Sequence, residues 1–175
     1  MPPAPGQTDE YGYDITESLV FLPRNFMDQF CENVFIEFLT VSTDGRPVTQ
    51  TNLAKNHVIF KIDFSSEALG FEAVRLSMDV NFDLASSDSN GSASFKPGRL
   101  NLKPVTYKNV SRSSSRTFQL PLGENLRFGQ ILQVIYENSL HSFSFVNIGD
   151  RYYGCRDFMY VVATCPLPPD NPSFD

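Results

Sequence analysis

The sequence predicts a single α+β domain: a mainly antiparallel sheet, one long helix, and a C-terminal helix that opens at Cys155. Three observations predict it. Residues 56–64 and 71–80 alternate apolar and polar side chains with the period of a strand. RFGQILQVIYENS (127–139) carries Phe128, Ile131, Val134 and Ile135 at helical spacing. CRDFMYVVATC (155–165) spaces Phe158, Val161, Val162 and Cys165 as a second helix, although its β-branched residues are weaker helix formers.

Taken in order, residues 1–14 (MPPAPGQTDEYGYD) are polar and rich in Pro and Gly, and read as a loose arm before a domain over 15–165. NVFIEFLTVS (33–42) is β-branched and aromatic, hence a strand, and TDGRP after it is a turn. In NHVIFKIDF (56–64), Val58, Phe60, Ile62 and Phe64 share one face; His57, Ile59, Lys61 and Asp63 share the other. FEAVRLSMDV (71–80) sets Val74, Leu76, Met78 and Val80 against Arg75, Ser77 and Asp79, and SSEALG joins the two strands as a hairpin loop. DLASSDSNGSASFKPG (83–98) reads as a polar, mobile loop. RLNLKPVTY and SRTFQLPL read as strands, the first interrupted or edged by Pro104. HSFSFVNI (141–148) is a short strand, and the Pro-rich tail 166–175 runs extended.

Composition narrows the function classes. A net charge of −6 argues against nucleic-acid binding, and the two arginines of VSRSSSR (110–116) suit a loop or strand edge instead. No stretch reads as a secretory leader, and no run reaches the roughly 18 apolar residues of a membrane span. Three dispersed cysteines make neither a disulfide framework nor a zinc knuckle, so a reducing, cytoplasmic setting is expected and the sequons at Asn90 and Asn109 are chance. No nucleotide loop or metal motif is present, so no cofactor and no metal are expected. With 16 Phe and 7 Tyr, the chain can build a core or line a pocket for an apolar small-molecule substrate. A homodimer stays open as a further partner; nucleic acid and membrane do not.

Two residues carry candidate chemistry. His57 lies on the more polar face of its strand, and a loop centred near residue 68 sets Asp79 opposite it. A shifted register pairs Asp63 with Arg75 instead, and the sequence leaves both open. Cys155 stands where a helix begins, and unpaired backbone N–H groups there stabilise a thiolate, as does Arg156. Cys31 and Cys165 read as structural, and His141 as a core-facing or helix-closing residue. A cysteine at a helix start with a histidine on a strand is the minimal apparatus of thiol acyl transfer. Arg75, Ser77, Arg156 and Tyr153 are the candidate substrate contacts.

Asn56-His57 leading a strand, VRLSM (74–78), the helix at 127–139 and Gly154-Cys155-Arg156 follow one another in that order. Together they resemble a small fungal domain family marked by NHW, VRLDM and GCRFW motifs, over residues 33–165. The sequence departs from that pattern at Val58, Ser77 and Asp157, which removes an aromatic wall and an acid; Asp79 or Asp63 would replace the acid. The order of His strand and Cys helix is more distantly similar to circularly permuted papain-like domains, the acyltransferase-like and deubiquitinase-like branches. The resemblance implies an enzyme of fungal specialised metabolism. The leading expectation is therefore a cysteine-dependent acyl-transfer enzyme with Cys155 as nucleophile, His57 as base and Asp79 (or Asp63 or Ser77) as orienter. The rivals are a non-covalent cyclase or isomerase using His57 and carboxylates around an aromatic pocket, and a ligand-binding or assembly module.

Overall fold

The alternating residues of 31–80 build the centre of the protein, seen here in a computed structural model that describes residues 7–8, 12–42, 53–84, 87–88, 94–148 and 151–165. In chain order the elements are β1 (Gln7–Thr8), β2 (Gly12–Asp14), α1 (Arg24–Met27), β3 (Cys31–Ser42), β4 (Leu53–Ala68) and β5 (Phe71–Val80). They continue with β6 (Ser87–Asp88), β7 (Ser94–Val105), β8 (Ser114–Leu120), α2 (Phe128–Glu137), β9 (Ser144–Ile148), β10 (Arg151–Tyr153) and α3 (Cys155–Thr164). The main antiparallel sheet runs β1-β2-β7-β5-β4-β3-β8. β6 and β9 pair with the first residues of β7, and β10 pairs with β9.

One face of this sheet is the core. Val34, Val58, Phe60, Ile62, Phe64, Val74, Leu76, Met78, Leu100 and Leu102 are buried there against α2, α3 and Phe26 of α1. Phe26 meets the rings of Tyr13, Phe64 and Phe71 at 6.2, 6.2 and 6.1 Å, so much of the phenylalanine supply goes to the core. α2 contributes Phe128, Ile131, Leu132, Val134 and Ile135, each worth about 1.5–3 kcal/mol of burial. Its start is fixed by Gln130, whose Oε1 accepts the Arg127 N–H at 2.7 Å.

The opposite face is not simply solvated. The segment after β7 covers it, burying Phe35, Ile59, Ala73 and, less expectedly, Glu37, Lys61 and Asp63. Three alternate residues of that segment meet the three charges: Lys61 Nζ donates to Tyr107 O (3.0 Å), Asn109 N–H to Asp63 Oδ2 (2.8 Å), and Ser111 N–H to Glu37 Oε1 (2.8 Å). Lys61 and Asp63 also pair directly. Buried charges survive only when paired and hydrogen-bonded in this way.

Several expectations need correction. The helix expected as long spans ten residues, as does α3, and it ends before Ser139 in the left-handed region at φ 55°. SSEALG is not a loop: β4 continues to Ala68, and the turn is Leu69-Gly70, both at positive φ, with Ala68 paired to Phe71. The stretch 1–14 supplies β1 and β2, and Ser94–Gly98 of the presumed 83–98 loop belongs to β7. Residues 85–86 and 89–93 of that stretch, and the tail 166–175, lie outside the described residues. His141 falls in a 3-10 turn (Leu140–Ser142) ahead of β9 rather than in the strand. In α3, Val161, expected on the apolar stripe, is exposed, and Met159 is buried in addition to Phe158 and Val162. Pro104 lies within β7 opposite Val74, past the last β2 pair at Leu102, so its missing N–H interrupts no described ladder on that side.

Asp63→Asn strands the buried Lys61 ammonium without its counter-ion and should cost about 3–5 kcal/mol in urea unfolding. The double change Lys61→Met/Asp63→Leu should recover most of that loss, because it removes both charges rather than one.

Candidate active site

The site begins where the β4–β5 ladder stops. Its registered pairs include Asp63–Ala73, Lys61–Arg75 and Ile59–Ser77, and none lies beyond Ile59–Ser77. One step further along the outer face, His57 and Asp79 face each other, with His57 Nε2 3.4 Å from Asp79 Oδ1. The other Asp79 oxygen accepts from Ser77 Oγ at 2.8 Å and from Asn101 Nδ2 at 2.8 Å. A carboxylate held by two donors on one oxygen presents the other to the imidazole, which is how a base is oriented and its tautomer set. Both side chains keep solvent access, at 28% and 38%. Arg99, registered opposite Asp79 on β7, turns instead to Asp14 (3.3 Å) and to Asn81 Oδ1 (2.9 Å), leaving Asp79 to His57.

Cys155 reaches this place from the core side. β9 and β10 form a hairpin that runs into Gly154, whose φ is 141° and whose absent Cβ would lie 2.6 Å from Cε1 of Phe143. Only glycine fits there, and it sets the first turn of α3. The first intrahelical bond is Phe158 N–H to Gly154 O at 2.9 Å, so the N–H groups of Cys155, Arg156 and Asp157 precede the helical ladder. The Val58 backbone N–H, just past the last β4–β5 pair, donates toward the Cys155 sulfur. The thiol and the His57–Asp79 pair therefore lie at the same open end of one strand pair, the thiol on its core side and the pair on its outer face. Among the described residues no hydrogen bond joins Cys155 to His57: strand alternation sends His57 to the outer face, whereas Cys155 packs against the core.

The expected low thiol pKa is overturned. Burial, the dominant cause, pushes the Cys155 thiol up, and Asp79 and Asp157 add to the rise; the Val58 N–H and Arg156 pull the other way without prevailing. At rest Cys155 is a protonated thiol that needs a base.

The other sequence-derived candidates divide. Ser77 lies inside the site through its bond to Asp79. The alternative Asp63–Arg75 pairing does not form, since Arg75 faces Lys61 and Asp63 is fully buried with Lys61. Arg156 places its guanidinium 5.6 Å from the centre of the Phe38 ring, and Tyr153 of β10 is half-exposed. His141 stacks on Tyr136 at 4.4 Å, away from the centre. Burial raises Cys31 to about 12, in keeping with a structural thiol. Asn101 was missed by sequence reading. Its only signal is its place in RLNLKPV on the polar side of an alternating strand, and its strand neighbour becomes visible only with the fold. Among the described residues no cluster of His, Cys, Asp and Glu could hold a metal ion.

An apolar cleft of about 300 Å³ opens elsewhere, between Phe60 and Ile62 of β4, Ile131 and Val134 of α2, and Val162 and Cys165 at the far end of α3. At about 1.5 Å per residue, its nearest lining residue on α3, Val162, lies roughly 10 Å along the helix from Cys155. Among its lining residues Phe60 is the sole aromatic, so the expected aromatic pocket is not what this cleft provides.

A family model described as a domain of unknown function (DUF7770) matches residues 39–165, which takes in β4, β5, β7, α2 and Cys155. No curated protein and no solved structure matches the chain. No described helix is long and apolar enough to cross a membrane.

Because its thiol is held protonated, Cys155 should react with iodoacetamide at pH 7 more slowly than a free cysteine, with a rate still rising above pH 9. Asp79→Asn removes a charge that raises this pKa, so it should speed alkylation at pH 8, read by peptide mass spectrometry.

Proposed function

The chain belongs to the DUF7770 family, and we propose that this member is a cysteine-dependent acyl-transfer enzyme, a hydrolase, transferase or cyclase. Cys155 is the nucleophile, His57 the general base and Asp79 the group that orients it. The observation that carries this reading is the oriented His57–Asp79 pair, with Asp79 held by Ser77 and Asn101, at the strand end where the Val58 N–H meets the Cys155 sulfur.

The chemistry follows from the protonation states. Asp79 engages Nε2 of His57, which leaves the Nδ1 lone pair as the base. As Cys155 Sγ attacks the acyl carbon, its proton passes to Nδ1; the carbonyl oxygen becomes an oxyanion, for which the free N–H groups at the start of α3 are the donors at hand. Collapse breaks the bond to the leaving group, which takes the proton back from the imidazolium. The thioester on Cys155 is then attacked by water or an acceptor hydroxyl or amine, whose proton goes to His57, and the thiol is regenerated when sulfur takes that proton. The raised thiol pKa makes this a base-dependent nucleophile rather than a preformed thiolate. We assign the substrate to apolar small molecules of fungal specialised metabolism, and the location to the cytoplasm, where free cysteines stay reduced.

A second reading has its own observation. The apolar cleft at the far end of α3 has the character of a ligand site and carries no acid–base pair, which favours a binding module.

Turnover of a panel of acyl thioesters and p-nitrophenyl esters separates these readings. Cys155→Ala and His57→Asn should each lower the rate by at least about 10²-fold while the thermal midpoint holds. A silent Cys155→Ser with an inactive His57→Asn would replace the covalent route with acid–base catalysis. Indifference to both variants would leave the binding module.

A further inference from the structure

On the outer face of the sheet, three cationic residues stand in one row across three neighbouring strands. Lys61 of β4 is registered with Arg75 of β5, and Arg75 with Lys103 of β7. Like charges directly opposite one another disfavour a sheet unless an anion intervenes. For Lys61 the anion is internal: Asp63 pairs with it. For Arg75 none is. Its diagonal neighbour Asp63 has Oδ1 on Lys61 and Oδ2 on the Asn109 N–H, and among the described residues the Arg75 side chain makes neither a hydrogen bond nor an ion pair.

Arg75 is half-buried and still open to solvent, with five donors in a planar fork suited to an oxyanion. It shares its strand face with Ser77 and Asp79, and at about 3.3 Å per residue it lies roughly 13 Å from Asp79. Between them is Asn101, whose Nδ2 is fixed on Asp79 and whose Oδ1 is buried with no donor. The strip from the His57–Asp79 pair to Arg75 thus offers an acceptor in the middle and a cation at the far end.

We propose that Arg75 is the receptor for an oxyanion, a carboxylate or phosphate, carried by the substrate at the end remote from the reacting carbonyl. The placement of that carbonyl rests on the acyl-transfer reading; the anion site itself does not. The substrate class becomes an acyl compound with an anionic tail about 13 Å from the catalytic pair.

The test uses the full chain, titrated with sodium pyrophosphate or sodium succinate at constant ionic strength against sodium chloride, and followed by calorimetry and thermal shift. One of the two anions should bind saturably and raise the midpoint; which one does so distinguishes phosphate from carboxylate. Arg75→Gln should weaken that binding by about tenfold or more, Arg75→Lys should retain part of it, and Cys155→Ala should leave it intact. Binding of neither anion beyond the chloride control, or equal binding by Arg75→Gln with an unchanged midpoint, would overturn the proposal. Loss of turnover in Cys155→Ala alongside that negative result would overturn only the anion site. Arg75-dependent binding with undiminished turnover in Cys155→Ala would sustain the anion site and overturn the acyl-transfer reading.

Discussion

The register between β4 and β5 is the constraint on which the rest of the structure depends. Strand side chains alternate with a period of two, so a slip of one residue would exchange the buried and outer faces of β4. The pairing of Ile59 with Ser77 buries Val58, Phe60, Val74 and Leu76 in one layer and brings Lys61 beside Arg75 in the other. It also sets His57 against Asp79 one step past the last pair, and leaves the Val58 N–H for the Cys155 sulfur. Core, buried charges and site therefore stand or fall together.

Register is secured at one end and along the middle of the strand pair. At one end the Leu69-Gly70 turn fixes Ala68 opposite Phe71, and an irregularity between Asp63 and Ala68 takes up the extra residues before the regular ladder starts. Along its middle the sheet is clamped from outside: Lys61, Asp63 and Glu37 fasten alternate residues of the segment 107–111. A slipped strand would leave those charges buried and unpaired, at a cost of several kcal/mol each. Specificity of this kind explains charges in a layer that apolar side chains could also fill.

The strands of 56–80 and the two ten-residue helices were legible because their periodicities are strong and local. So was the His57–Asp79 pairing, although for an incomplete reason. A loop centred at 68 and the actual turn at Leu69-Gly70 imply different registers, and the irregularity in SSEA restores the first. The outer face was misread because a loop from the far side of the chain covers it, and no local pattern in NHVIFKIDF announces that Lys61 and Asp63 will be enclosed. The thiol was misread for a related reason. A helix start and a neighbouring arginine argue for a thiolate locally, whereas burial against a sheet more than 70 residues away in sequence decides the opposite. Tertiary desolvation is invisible to short-range reasoning, and here it changes the expected thiolate to a protonated thiol.

With its thiol protonated, Cys155 in the proposed enzyme becomes a nucleophile only through the His57–Asp79 pair. The most direct measurement is intact-mass spectrometry of the protein quenched in acid during turnover of an acyl thioester, with the adduct mapped by peptide sequencing. The expected result is an acyl group on Cys155 in the wild-type chain that fails to form in His57→Asn. An adduct on Cys31 or Cys165, or undiminished acylation of Cys155 in His57→Asn, would contradict it.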